Sequence, residues 1–276
     1  MARRVSSLWP MYSLFTPSHR GGSGSPLVCV HGFTDTWRTW DLVLPELERH
    51  HDVLAPTLLG HAGGPKLEGA FSGELIADAI ERAMDDAGFG TAHIVGNSLG
   101  GFISLQLAAR GRARSDVALA PAGGWAADDA SAGETLTHFL TSLEESKAAA
   151  PHADEIMATP DGRRQAAEGF ATNWEHIPAE LLAHMLRGIA GCDGAVPMIE
   201  YALREGYQLD AERITCPVRI VWGTGDQVLE WPSAAVRYRE EWLPHADWVE
   251  LDGIGHCPQL DVPLETAQLI LGFTAG

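Results

Sequence analysis

Positive charge is scarce in this chain. Among its 276 residues, 19 are Lys or Arg and 37 are Asp or Glu, a formal net charge of −18. A surface this acidic repels phosphate backbones and anionic headgroups, so neither nucleic acid nor an anionic membrane is an expected partner. Cysteine is also scarce. The four thiols, Cys29, Cys192, Cys216 and Cys257, form no C-x-x-C pair, which excludes a zinc ribbon and a small disulfide framework. Cys29 lies inside an apolar run and reads as a core residue; reduced thiols suit a cytoplasmic location. No run approaches the roughly 18 apolar residues that span a bilayer. Arg3 and Arg4 resemble the start of an export signal, but Ser6, Ser7 and Pro10 break the apolar run such a signal needs, and no small-residue cleavage site is clear. The expectation is a soluble, cytoplasmic protein whose oligomeric state the sequence does not specify.

What the chain has is apolar content, 45% of its residues, enough for a substantial core without cross-links. Short apolar runs alternate with longer amphipathic stretches, the pattern of a mostly parallel sheet flanked by crossover helices. Strands are expected at 27–30, 52–55, 91–95, 117–120, 218–222 and 248–251. Helices are expected at 72–87, with Ser72 as N-cap and Gly88 as stop, and at 99–110, 232–242 and 264–273. Gly21 to Ser25 reads as a flexible turn. Between about 123 and 210 the strand signal disappears. Leu181, Leu182, Met185, Leu186 and Ile189 there share one helical face. The chain thus divides into an α/β core, 1–122 and 211–276, and a helical insertion, 123–210. The insertion reads as a lid over a sheet-borne site, the alternative being helices packed on one flank of the sheet.

Gly96-Asn97-Ser98-Leu99-Gly100 matches G-x-S-x-G between an apolar strand and an apolar helix. A strand-to-helix turn that tight exposes the Ser98 hydroxyl, requires small neighbours at 96 and 100, and sets the serine at a helix N-terminus that favours negative charge. A serine is a weak nucleophile without a base. Gly223-Thr224-Gly225-Asp226 and Gly255-His256 each follow a strand, on the edge where open α/β sheets place their sites. His256 is the expected base and Asp226 the group that orients it. Asp128 and Asp129, after the strand at 117–120, are the alternative acids. His31-Gly32-Phe33 closes the first apolar strand, so the backbone N–H groups of Phe33 and Leu99 are the expected oxyanion donors. His31 itself reads as a packed residue that holds this loop.

These motifs resemble the α/β-hydrolase superfamily, specifically its lid-bearing serine hydrolase (esterase-like) branch. His31-Gly32-Phe33, Leu59-Gly60-His61-Ala62-Gly63-Gly64, Gly96 to Gly101, Gly223 to Asp226 and Gly255-His256-Cys257-Pro258-Gln259 are similar to that family's recurring loops, and the match spans nearly the whole chain outside 123–210. The resemblance implies a hydrolase with no cofactor and no metal whose substrate enters beneath the lid. The dehalogenase and epoxide-hydrolase branches carry Asp where this chain has Ser98. Meta-cleavage C–C hydrolases share the G-N-S elbow but usually have G-P-G after the H-G loop, where this chain has Phe33-Thr34-Asp35-Thr36, and tend to have Trp where it has Cys257.

The expected activity is hydrolysis of carboxylic esters of small to medium acyl size through an acyl-Ser98 intermediate. Thioester, lactone and C–C bond hydrolysis on the same triad are the alternatives, and a non-turnover ligand-binding module is the alternative of another class. Trp37, Trp125, Phe139, Trp174 and Met185 are the expected lining of an apolar substrate pocket, each with core packing as its plainer reading. His138, His152, His176 and His184 lack metal-ligand spacing.

Overall fold

The computed structural model describes residues 15–126 and 129–275, so Asp128 lies outside the described residues. Seven strands, β1 (Ser18–Gly22), β2 (Ser25–Val30), β3 (His51–Pro56), β4 (Ala92–Asn97), β5 (Ala113–Leu119), β6 (Val218–Gly223) and β7 (Asp247–Leu251), form one sheet in the order β1-β3-β2-β4-β5-β6-β7. β1 runs antiparallel to β3, and all other neighbours are parallel.

The strands read as continuous apolar runs because both faces are covered. Val28, Val30, Ile94, Ala118 and Ile220 turn to one face, and Leu27, Cys29, Val95, Val117 and Val221 to the other, the period-two alternation of a pleated strand. The chain continues from the β2 loop through the short α1 (Leu44–Leu47), then α2 (Leu75–Asp86) and α3 (Leu99–Ala109). Ile76, Ile80 and Met84 of α2, with Phe102, Ile103 and Leu105 of α3, cover the first face. Between β5 and β6 come the helices α4 (Ser131–Ala149), α5 (Ala153–Met157), α6 (Pro160–Ala167), α7 (Ala179–Ala190) and α8 (Ala195–Glu205). After β7 come α9 (Pro258–Asp261) and α10 (Pro263–Thr274); Ala267 and Ile270 of α10 cover the second face together with Trp40 and Leu47.

The helical segment has a core of its own. Met157, Ile177, Leu181, Leu182 and Met185 pack with Cys257 from the loop after β7 and with Leu260 of α9. The helical periodicity read in 181–189 is the face of α7, with Leu181, Leu182 and Met185 buried on it.

Three expectations change. Gly21 and Gly22 belong to β1 rather than to a free turn. Ser-His-Arg-Gly-Gly lacks strand-forming residues, and this half-exposed edge strand is held by its backbone pairing with β3 and by the paired hydrogen bonds of Arg20 to Asp52, 3.1 and 2.8 Å. The helix expected from Ser72 starts at Leu75, because Leu75 N–H turns back to Ser72 O at 3.2 Å, while Gly88 ends it at φ +79° as expected. The stretch 232–242 is not one α-helix. The Arg237 N–H donates to Gly124 O at 2.8 Å instead of continuing the ladder, leaving a 3-10 turn at Ser233–Ala235 and a wide turn at Tyr238–Trp242 closed by Leu243 N–H to Tyr238 O.

The order of the strands places the site. From β2 the chain moves outward to β3, and from β4 it moves the other way to β5 and beyond. The carboxyl ends of β2 and β4 therefore flank the point where the winding reverses, where an open α/β sheet forms a crevice. Register keeps the other strand ends level: Val30 pairs with Gly96, Asn97 with Leu119, Leu119 with Val221 and Gly223 with Leu251.

Candidate active site

Ser98 occupies the turn between β4 and α3 with φ 57° and ψ −120°, a conformation costing a side-chain-bearing residue about 1–3 kcal/mol. Its backbone is held there from both sides. Its N–H donates to Leu119 O at 2.9 Å, and its carbonyl accepts from Phe102 N–H at 3.1 Å and Ala122 N–H at 3.0 Å. A Cβ at Gly96 would run into the Gly100 backbone, and one at Gly100 into the carbonyls of Val30 and His31, so the turn admits only glycine at both places. Thr34 and Ala120 also have positive φ, 62° and 41°. These three strained residues lie just past the carboxyl ends of β2, β4 and β5.

Asp226 and His256 are in contact. His256 Nδ1 lies 2.7 Å from Asp226 Oδ2, and both residues are buried. The other carboxylate oxygen of Asp226 accepts the N–H groups of Val228 and Leu229, each at 2.8 Å, which fixes the carboxylate plane. Asp129 does other work. Its Oδ1 accepts the Ser131 N–H at 2.9 Å at the start of α4, and hydrogen bonding by Ser131 lowers its pKa.

The residue before the nucleophile ties it to the base. Asn97 Nδ2 donates to His256 O at 3.0 Å and to Leu119 O at 3.2 Å, while its Oδ1 accepts from Cys257 Sγ at 3.3 Å and Gln259 Nε2 at 3.0 Å. A second clamp comes from Asp261. Its carboxylate accepts the N–H groups of Gly255 at 2.7 Å, Thr172 at 3.0 Å and Asn173 at 2.6 Å, so it joins the His256 loop to the helical segment. Burial alone would raise this carboxyl, but the donors of Thr172, Gly255 and Asn173 outweigh it and hold its pKa below the usual carboxylate value. Asn97 and Gln259 lie within recognisable motifs, but no local pattern in the sequence marks this role for them, and none marks Asp261.

On the opposite side of Ser98 lies the loop after β2. Gly32 packs so closely that a Cβ there would sit 3.3 Å from Ser98 Cβ. Neither Phe33 N–H nor Leu99 N–H has a hydrogen-bond partner among the described residues. Leu99 opens α3, where the first N–H groups have no partner within the helix. His31 holds this loop: its Nδ1 bonds Gly32 O at 2.8 Å and its Nε2 accepts Leu58 N–H at 2.9 Å, a neutral tautomer. Burial, then the neighbouring His61, keeps its pKa well below the ordinary histidine value.

Two cavities meet at Ser98. One is apolar, about 80 Å³, and lies against α3. The other, about 890 Å³, opens between the sheet edge and helices α4 to α7 and is lined by His256 as well as Ser98. Phe139 lines both, Trp125 the small one and Met185 the large one. Trp37 and Trp174 line neither. Trp37 stacks on His19 and donates to Thr16 Oγ1 at 2.8 Å, and Trp174 packs in the core of the helical segment. Of the scattered histidines, His138 lines the large cavity, His152 pairs with Glu155, His176 bonds Leu260 O and His184 bonds Thr36 Oγ1. Among the described residues no helix is long and apolar enough to cross a membrane.

A doubly wound, mostly parallel sheet with a strained residue at a strand–turn–helix elbow on its carboxyl edge defines an enzyme scaffold of the α/β-hydrolase class. The chain belongs to the alpha/beta hydrolase family, whose pattern it matches over residues 27–269. It is 30% identical to the epoxide hydrolase EphH of Mycobacterium tuberculosis over 203 residues, 73% of this chain and 94% of that one. It is 34% identical to the 2-hydroxymuconate semialdehyde hydrolase of Pseudomonas sp. strain CF600 over 99 residues, 34% of this chain and 35% of that one. In fold it is similar to a serine hydrolase involved in carbazole degradation, with a TM-score of 0.71 at 19% identity over 94% of this chain and 93% of that one.

Proposed function

We propose that this protein is a serine hydrolase that cleaves carboxylic esters through an acyl-Ser98 intermediate, with His256 as base and Asp226 as its orienting acid. One observation carries this reading. A strained serine shares a cavity with a histidine whose other ring nitrogen is held by a buried aspartate. In this scheme His256 takes the Ser98 proton as Oγ attacks the ester carbonyl. The tetrahedral oxyanion lies between the N–H groups of Phe33 and Leu99. His256 then returns the proton to the departing alcohol oxygen as the C–O bond breaks. Water, deprotonated by the same ring, releases the acid and restores Ser98. No metal or cofactor enters the scheme. Helices α4 to α8 act as a lid, since α4 to α7 supply most of the large cavity's outer wall.

Two features favour an ester over the substrates named for the relatives. Ser98 stands where the epoxide-hydrolase branch carries a carboxylate. A muconate semialdehyde carries a carboxylate of its own, and neither cavity is lined by Lys or Arg. Desolvating an anion without a cationic partner costs several kcal/mol.

Fluorophosphonate labelling and turnover of p-nitrophenyl butyrate test the proposal together. Wild-type protein is expected to label at Ser98 and to turn the ester over. Ser98→Ala is expected to stay folded and lose about 10⁶-fold in kcat. Retention of turnover by Ser98→Ala overturns the acyl-enzyme scheme.

A further inference from the structure

We infer that the two cavities divide the substrate: the acyl group enters the 80 Å³ apolar pocket and the alcohol occupies the 890 Å³ chamber, so the natural substrates join a compact apolar acid to a larger alcohol without negative charge. This inference rests on the ester-hydrolase reading and adds the direction and chemistry of the substrate to it.

The assignment comes from where the proton must go. A general acid has to reach the oxygen it protonates. His256 lines the large chamber and not the small pocket, whereas Ser98 lines both. An ester bound to Ser98 with its alcohol in the small pocket turns its leaving oxygen away from the histidine that must protonate it. With the alcohol in the chamber, that oxygen faces His256. Leu99 supports the same direction, since it lines only the small pocket and its N–H is one of the two free donors beside Ser98.

Size sets the second half of the assignment. At about 80 Å³ the small pocket is a compact space that suits a short acyl chain rather than a long one. Its walls include Ile76, Phe102, Trp125, Leu136, Met198 and Leu229. Tyr207, also in its wall, stays neutral, because burial pushes its pKa up to about 12. An apolar acyl chain loses no hydration in excess of what this lining returns. Phe33 and Phe139, with ring centroids 5.3 Å apart in an edge-on contact, line both spaces and form the partition beside Ser98.

The chamber is also largely apolar, with Ile156, Met157, Leu182, Met185 and Leu186 in its wall, but it adds acidic groups that the small pocket lacks. Its acidic lining is Asp35, Glu134, Glu145 and Glu168, beside His138, His256 and the Cys257 thiol. Asp35 lies one residue past the strained Thr34, and burial raises its carboxyl to about 6. A leaving alcohol bearing hydroxyls or an ammonium fits such a wall, and one bearing a carboxylate does not.

The test uses two ester series on the intact protein. In the first, p-nitrophenyl esters run from acetyl to dodecanoyl. In the second, butyrate is held constant while the alcohol runs from ethanol to glycerol and choline, with a carboxylate-bearing alcohol, glycolate, included. Wild-type kcat/KM is expected to peak at or below octanoyl and fall by at least about 10-fold at dodecanoyl. Glyceryl and cholinyl butyrate are expected to exceed the glycolate ester by at least about 10-fold. Leu136→Ala and Met198→Ala should move the acyl limit to longer chains and leave the alcohol ranking alone. Met185→Ala, in the chamber, should alter the alcohol ranking and leave the acyl limit alone. Dodecanoyl turned over as well as butyryl, or the two sets of variants exchanging their effects, overturns the division while ester hydrolysis stands. Failure of every ester, with Ser98 unlabelled, overturns the hydrolase reading and the division with it.

Discussion

At the scale of single residues, the Asp226–His256 pair carries the sharpest prediction. Asp226 accepts on both oxygens, from His256 on one and from Val228 and Leu229 N–H on the other. Asp226→Asn keeps the shape but places an amide against either the ring or the two N–H donors. In the proposed scheme the imidazole then adopts the wrong tautomer, and kcat is expected to fall by about 10⁴-fold with KM little changed. Steady-state kinetics on an unchanged fold, verified by circular dichroism, checks this. A loss under tenfold removes Asp226 from the scheme. These residues were legible because each sits in a short motif whose neighbours are dictated by local backbone geometry. The clamps were not. Asn97 reaches a carbonyl 159 positions away, and no local pattern encodes that. Trp37 and Trp174 failed as pocket residues for a related reason: a large aromatic serves a core and a binding wall equally well, and only tertiary placement separates the two.

At the scale of elements, the sequence disclosed the parallel strands and the helical segment between β5 and β6, because covered strands and amphipathic helices have distinct periods. It did not disclose β1, whose residues have little strand propensity and whose pairing comes from β3. Nor did it show how the helical segment is fastened to the sheet. That fastening is Asp261, at the end of α9, with Thr172 and Asn173 from the segment before α7 and Gly255 beside the histidine. Cys257 N–H adds a bond to Phe170 O at 2.9 Å, and His176 a bond to Leu260 O at 2.8 Å. Asp261→Asn sets an amide donor against N–H donors, and leaving buried N–H groups unpaired costs about 1–3 kcal/mol each. Destabilisation of about 3 kcal/mol at pH 7 is expected, with kcat lowered about tenfold as the His256 loop loosens. Because the folded carboxyl titrates below its unfolded value of 3.8, its contribution is full above that value and vanishes as pH falls through the folded pKa. Urea denaturation of both proteins at pH 7 and pH 3 should therefore show a gap that narrows on acidification. A gap independent of pH shows that packing, not the carboxylate, fastens the loop.

At the scale of the whole molecule, stability is bounded on both sides by buried groups whose titration burial displaces. On the acid side stand His31, His61 and His184, each lowered chiefly by burial, the last two to about 4. The unfolded chain takes up their protons near 6.5 and the folded chain does not, so stability falls as pH drops from that value toward 4. On the alkaline side stands Asp116, fully buried in β5, with one oxygen accepting from Ser104 Oγ at 3.1 Å and the other without a partner among the described residues. Burial raises its pKa well above 3.8, so its contribution is full below 3.8 and is lost as pH rises toward the folded value. The net charge of −18 also weakens the fold as pH rises, through self-repulsion. Salt separates the two effects: it screens exposed charges more than about 10 Å apart at 0.1 M and leaves a buried carboxyl nearly untouched. Asp116→Asn removes the titration while keeping an acceptor for Ser104. Its melting temperature is expected to match or exceed that of the wild type at pH 5, and the advantage should widen by several degrees at pH 9. That widening should persist in about 0.5 M NaCl. If salt abolishes it, surface repulsion rather than Asp116 governs the alkaline limit, because only the exposed charges respond to ions in solution.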